Sequence, residues 1–347
     1  MVKKILLSLL GIAVLALGIF AFVLTRDGEL ETPNGSGTVE LDVGTFEGFR
    51  LPDYVAEKVG DEYRSYLVEV EPGIKIHVLE VGSGYPVYMQ HGAPTNGLLY
   101  RKVVNELPLD QFRIIMPTMV GLGFSSKVPA SQHTVDNHIR WINGTLKQLA
   151  LNELIYVGHD WGGPIGMGAL ARTPALLKGA VILNTAFGAP TEPRTLSTPL
   201  RIIKTPIVGE ILFEGILSIF GQLAGAQADP ESLSADVLEL YERPVQESTN
   251  SKGPVAIFRM AADGPDHPTA EPLREIDVYI QGLDVPTAIV WGLSDPVLGS
   301  RLNEMIGHFP NAHVTETEAG HFLQEEVDVP EAIAAAVQRV YGQIQSE

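Results

Sequence analysis

The sequence predicts an α/β fold, with a mostly parallel central sheet, helices on both of its faces and a helical cap inserted into it. Three observations carry that prediction. Short β-branched or apolar runs recur, each ending at glycine or a polar residue; helical patterns lie between them; and one stretch of about 90 residues holds helical patterns and prolines but no convincing strand.

Taken in order, the first element is Ile5 to Leu24, an uncharged and mostly apolar run of 20 residues. At ~1.5 Å per residue it is long enough to cross a hydrocarbon core of about 30 Å. Lys3 and Lys4 precede it, while Asp27, Glu29 and Glu31 outnumber Arg26 after it. The positive-inside rule then leaves the rest of the chain outside the cytoplasm, in the periplasm or the extracellular space. A cleaved signal peptide is the alternative and would make the protein secreted. The run exceeds the usual h-region and no clear A-x-A site follows it, so residues 1–26 are read as an uncleaved membrane anchor. Residues 27–46, rich in Gly, Thr and acids, read as a linker.

The core is expected over residues 47–186 and 277–347. Its strands are read at Val87 to Gln90, Arg113 to Met116, Leu154 to Val157, Ala180 to Leu183 and Thr287 to Trp291. Helices are read at Leu98 to Leu107, Val135 to Leu149, Pro164 to Arg172 and Pro330 to Tyr341. The cap is expected over residues 187–276. Inside it, Ile211 to Leu223 is apolar on nearly every face apart from Glu214 and Gln222, which suits a roof over something, contact with a membrane, or burial within the cap itself.

Composition narrows the chemistry. The formal net charge is −18, from 42 acidic and 24 basic side chains, and such a field repels nucleic-acid backbones. The chain has no cysteine, which removes disulfides, thiol catalysis and thiolate metal sites. Its nine histidines show no metal-ligand spacing, so neither a metal nor another cofactor is expected.

The strand ending at Val157 runs into Gly158-His159-Asp160-Trp161-Gly162-Gly163 and then a helical segment opened by Pro164. This is the setting of a nucleophile elbow, in which a strained strand-to-helix turn holds one side chain out, with glycines permitting close packing and the helix start adding N–H donors. Asp160 occupies the exposed position; on this motif alone, a helix-capping carboxylate is an equal reading. Three further pieces favour chemistry. Asp295 follows the strand ending at Trp291; His321 stands in the short loop Glu318-Ala319-Gly320-His321-Phe322; and Gln90-His91-Gly92-Ala93-Pro94 follows the strand expected beside the elbow, where a backbone N–H can meet an oxyanion.

In these motifs, over about residues 65 to 343, the sequence resembles the haloalkane dehalogenase and epoxide hydrolase branch of the α/β-hydrolase superfamily. Haloalkane dehalogenases are the nearer likeness, through Leu99-Tyr100-Arg101, His159-Asp160-Trp161-Gly162-Gly163-Pro164, Ile182-Leu183-Asn184-Thr185 and Ala319-Gly320-His321-Phe322-Leu323-Gln324-Glu325. The resemblance implies a hydrolase acting on a small apolar organic molecule and water. Asp160 would attack a saturated carbon, water activated by His321 would hydrolyse the resulting ester, and Asp295 would orient the imidazole. Backbone N–H groups of Trp161 and Ala93 would receive the oxyanion, and the Trp161 indole would bind departing halide. In that family the acid can instead follow the strand before the cap, but no carboxylate lies between Ala180 and Pro190. The family's second halide donor is an Asn where Ala93 stands, or a cap Trp, and this chain has neither. Epoxide hydrolases need cap tyrosines as acids; the insertion offers Tyr241, in the shared pattern Tyr241-Glu242-Arg243-Pro244, with Tyr279 near its far edge. A strained lactone is a third substrate for the same carboxylate. A non-catalytic binding protein on this fold would be expected to show damage at positions 160, 295 or 321, and none is seen.

Overall fold

The computed structural model describes Gly11, Leu15, Gly18 and residues 26–346. The expected anchor over residues 1–26 lies, but for those three and Arg26, outside the described residues.

Ten strands form one sheet in the order β1-β2-β3-β4-β6-β5-β7-β8-β9-β10: β1 Thr38–Leu41, β2 Gly44–Gly48, β3 Arg64–Glu71, β4 Ile74–Gly82, β5 Tyr85–Gln90, β6 Phe112–Pro117, β7 Leu154–His159, β8 Leu177–Leu183, β9 Thr287–Gly292 and β10 His313–Thr317. From β6 to β10 all pairings are parallel, whereas β1 to β4 form an antiparallel wing joined to β6. The centre of the sheet is covered on both faces, which is why β7 and β9 are buried at every residue and read as unbroken apolar runs. The chain passes from β5 to β6 on one side and returns to β7 on the other. Loops leaving the carboxyl ends of β5 and β7 therefore diverge at a switch point, the usual place for a ligand crevice.

Eight α-helices have seven or more residues among the described residues: α1 Val135–Gln148, α2 Gly162–Ala171, α3 Thr198–Lys204, α4 Ala235–Gln246, α5 Gly253–Arg259, α6 Ala270–Gln281, α7 Leu302–His308 and α8 Val329–Ile344. Helix α1 begins where the Thr134 side chain accepts the Asn137 N–H, and its buried face carries Ile139, Ile142 and Leu146. Helices α1, α2 and α6 pack together on one face of the sheet, and α8 packs on the other, against β8 and β9.

Four expectations change. Residues 27–46 are not a free tether: Asp27 O accepts from the Ala130 N–H, Glu31 exchanges backbone hydrogen bonds with Lys127, and Thr38 to Gly48 form the β1–β2 hairpin. Alternation within four or five residues there is too brief to stand out from a polar segment. The helix expected from Leu98 to Leu107 shrinks to a 3₁₀ turn at Gly97–Tyr100 and one α-turn at Arg101–Val104. The expected cap end at 276 falls inside α6, which packs on the core helix α2; the strand-free insertion runs from residue 184 to 286. Within it, Ile211 to Leu223 is not one helix but a π-turn at Ile211–Ile216 and a 3₁₀ segment at Phe220–Ala226.

Candidate active site

Strand β7 ends at His159, and Asp160 then adopts φ 48°, in the left-handed region that a non-glycine residue enters only when its surroundings hold it there. Three backbone contacts hold it. Asp160 N–H donates to Asn184 O at 3.0 Å, Gly163 N–H donates to Asp160 O at 3.0 Å, and the Thr185 hydroxyl donates to the same carbonyl at 2.6 Å. Gly162 lies so close to the Gln90 carbonyl, and Gly158 so close to the Tyr156 ring, that neither has room for a side chain. The turn is thus wedged between the ends of β5, β7 and β8.

The Asp160 carboxylate points back over β5. Its Oδ2 accepts the Ala93 N–H at 2.9 Å, and the neighbouring Trp161 N–H also favours the charged carboxylate. These are the two backbone donors expected to form an oxyanion site, and the structure brings them to one carboxyl group. A methyl group on Gly92 would collide with Asp160 Oδ2, so this position must be bare. His91 fixes the loop: Nε2 accepts the Met119 N–H at 2.9 Å, which leaves the proton on Nδ1 to donate to Gly92 O at 2.7 Å. Burial lowers the His91 pKa to about 4, so this ring is neutral and structural. Pro94 completes the buried turn.

His321 and Asp295 arrive from the far end of the chain. His321 Nδ1 lies 2.8 Å from Asp295 Oδ2, and His321 Nε2 lies 3.9 Å from Asp160 Oδ1, too long for a direct hydrogen bond. Asp295 also accepts from the Val297 N–H at 2.7 Å and from Asn184 Nδ2 at 2.8 Å. The same Asn184 amide donates to Gly292 O and accepts from Gly292 N–H, tying β8 to β9 beneath the acid. Asn184 enters the sequence analysis only within a resemblance motif and with no role; its further signal is a polar side chain immediately after a buried strand.

Electrostatics follow from this geometry. Burial alone would lower the His321 pKa, but the Asp295 and Asp160 charges overcome it and raise the value to about 9. Burial would raise Asp295, but the imidazolium, Asn184 and the Val297 N–H hold it down at about 2. Asp160 is shifted upward by burial, against the pull of His321 and the two N–H donors.

A cavity of about 310 Å³ opens over Asp160 and Trp161. Pro164, Leu196, Leu200, Phe258 and Leu298 give it apolar walls, and Arg194 and Arg301 stand on its lining. Among the described residues no tyrosine lines it. Tyr241 is instead fully buried, its hydroxyl on Glu325 with Arg101 alongside, so the tyrosine weighed as an epoxide-opening acid is a packing residue.

Comparison with known proteins gives a consistent picture. Residues 85–328 match the family model described as the alpha/beta hydrolase fold. The chain is 34% identical over 266 residues to a cis-3-alkyl-4-alkyloxetan-2-one decarboxylase of Shewanella oneidensis, covering 73% of this chain and 81% of that protein. It is 28% identical over 272 residues to haloalkane dehalogenase 2 of Mycobacterium tuberculosis, covering 77% and 92%. The crystal structure of haloalkane dehalogenase DatA from Agrobacterium tumefaciens C58 superimposes with a TM-score of 0.71 at 22% identity, over 83% of this chain and 99% of that one.

Proposed function

Because the chain belongs to the α/β-hydrolase fold family and is a haloalkane dehalogenase-like hydrolase, we propose that it cleaves a carbon–leaving-group bond at saturated carbon through a covalent ester on Asp160. The observation that carries this reading is the Asp160 carboxylate, held at a strained turn, facing a mostly apolar cavity and lying 3.9 Å from His321.

In the first step a carboxylate oxygen of Asp160 attacks the carbon, a C–O bond forms, and the leaving group departs with the bonding electrons. Trp161 lines the cavity beside Asp160, and the resemblance implies that its indole N–H would meet that anion. Ester formation removes one of the two negative charges that keep His321 protonated. The imidazole pKa then falls from about 9 toward the range in which it serves as a base, so water activation is switched on by the adduct itself. His321 takes a proton from water, the hydroxide adds to the ester carbonyl, and the N–H groups of Ala93 and Trp161 receive the oxyanion. Collapse expels the alkoxide, which takes the proton from His321 and leaves as an alcohol whose oxygen came from Asp160, and the carboxyl group left behind gives its proton to the imidazole to become a carboxylate again.

A second substrate reading, the four-membered lactone, has specific support. Ala93 supplies no side-chain donor for halide, and a lactone opened at its saturated ring carbon yields a carboxylate, an anion whose two oxygens match the guanidinium of Arg194 or of Arg301 on the cavity lining, although Arg301 also pairs with Glu304. The Shewanella relative is named for an oxetan-2-one.

One experiment tests both. The full chain and its His321→Gln variant are incubated with bromoalkanes and with 3,4-dialkyl oxetan-2-ones in ¹⁸O-water while halide, products and intact mass are followed. The expected result is a stable ester on Asp160 in the variant, and ¹⁸O in Asp160 of the wild type after turnover. Turnover with no adduct and no ¹⁸O uptake sinks the covalent reading. Adducts with lactones and none with haloalkanes select the second substrate.

We also propose that Ile5 to Leu24 anchors the protein with its catalytic body outside the cytoplasm, on the charge asymmetry of its flanks. Protease added to intact cells is expected to degrade the body; complete protection reverses the orientation.

A further inference from the structure

The cap carries an apolar surface that the proposed chemistry does not use. Ile207, Val208, Ile216 and Leu217 are 49%, 44%, 66% and 43% exposed. They belong to one short stretch of the cap, residues 207–217, which forms the first arm of a pair of apolar helical segments, Val208–Ile216 and Phe220–Ala226, bent by 96°. No single helix among the described residues is long and apolar enough to cross a membrane, but this bent pair reaches that composition together.

The polarity of the stretch is the reverse of that on an ordinary surface helix. Its two acids turn inward. Glu210 pairs with Arg259 at 2.6 Å and Glu214 pairs with Lys252 at 2.5 Å, and these carboxylates keep only 11% and 6% of their exposure. Four large aliphatic side chains, Ile207, Val208, Ile216 and Leu217, face out instead. Ile207, a β-branched residue, is held at φ 67°, a conformation that costs free energy and marks a site under a constraint other than local stability.

The route of the N-terminal chain says what covers this surface. Directly after Arg26 the chain is fastened to the body: Ser131 N–H donates to the Asp27 carboxylate, Asn250 Nδ2 donates to Glu29 O at 2.7 Å, and Thr249 N–H donates to the Glu31 carboxylate at 2.6 Å. Two residues beyond Asn250 is Lys252, the partner of Glu214. Residues 27–31, the first continuous stretch described after the 20-residue apolar run of the sequence, therefore sit beside residues 249–252, which reach the exposed cap stretch through Lys252.

We propose that residues 207–217 are a membrane-apposed surface that dips into the interface of the bilayer holding the N-terminal anchor. Leu196 and Leu200, on the segment leading to it, line the cavity over Asp160, so the surface joins the lipid phase to the proposed active site. The inference rests on the anchor reading, and the two fail differently.

The chain has no cysteine, so single Ile207→Cys, Ile216→Cys and Leu217→Cys variants each carry one nitroxide label, with Asp110→Cys, before the amino end of β6, as the aqueous reference. All four sites are exposed, so folding is preserved. Full-length protein is reconstituted in phosphatidylcholine–phosphatidylglycerol vesicles. Flotation of the protein with the vesicles reads the anchor; power-saturation EPR reads label depth. The expected result is that oxygen collisions rise and nickel-chelate collisions fall at 207, 216 and 217, with position 110 unchanged, and that adding Leu217→Glu to the 207 label reverses the shift. Floated protein whose cap labels behave like position 110 overturns the surface and leaves the anchor standing. Protein that does not float overturns both.

Discussion

The two halves of the candidate site are held by different parts of the molecule. Asp160 is gripped by the sheet: its neighbours are the backbone ends of β5 and β8 and the first turn of α2. His321 is gripped from one side by Asp295 and from the other by the cap. Its N–H donates to Ala226 O at 2.8 Å, the Phe322 N–H donates to the Gln227 side chain at 2.7 Å, and Glu326 accepts from both the Ala228 and Gly320 N–H groups. The difference teaches that the attacking carboxylate is part of a rigid scaffold, whereas the base is placed jointly by core and cap. The covalent step should thus withstand disturbance of the cap, and the hydrolytic step should not.

The sharpest test of that contrast is Asp160→Asn, which removes the charge and keeps the shape. Turnover is expected to fall by at least ~10⁴-fold in steady-state assays. The same variant reads the coupling between the halves: the His321 pKa, about 9 in the wild type, is expected to fall when followed by NMR titration. Its sign for stability follows. A histidine raised above its ordinary 6.5 contributes stability that is complete below that pH and is lost as pH rises through about 9. Urea denaturation between these limits should therefore show a steeper loss for the wild type than for Asp160→Asn, and equal slopes would mean that the two side chains are not coupled.

A smaller effect is expected from the cap side. A methyl group on Gly320 meets the Gln227 backbone, so Gly320→Ala displaces the histidine loop from its cap contact. Stability is expected to fall by about 1–3 kcal/mol in urea melts, and steady-state turnover by roughly 10²-fold, in line with a misplaced catalytic group, while the stopped-flow burst of leaving-group release persists. Loss of the burst would show that the halves are not separable. The smallest effect is reserved for Tyr241→Phe. Removing its hydroxyl from Glu325 and Arg101 should cost about 1 kcal/mol of stability and leave kcat unchanged; a large fall in kcat with epoxides alone would restore this tyrosine as an acid.

The same division decides what could be read in advance. The scaffold half was legible because its signals are local: a buried strand, a glycine-flanked turn and a helix start occupy consecutive residues; of the other half only the positions of Asp295, after a recognisable strand, and His321, in a short loop, stood out. The antiparallel wing was not. Within β4 the pattern is broken by buried His77 and Glu80, and Glu80 is tolerated only because Tyr66, Arg64 and Arg113 satisfy it from other strands. β10 is a half-exposed edge strand with little apolar signal. The partners of Asn184 and the grip of Ala226 and Gln227 on the histidine loop were equally out of reach, since each pairs residues about a hundred positions apart.

The grip of the cap on that loop also sets a rule for recombining this protein with its relatives. A chimera that imports a foreign cap and keeps the native C-terminal segment severs the hydrogen bonds joining residues 226–228 to 320–326, leaving the imidazole without its outer support even when every reactive side chain is present. Those two stretches, far apart in the chain, form a single transplantable unit.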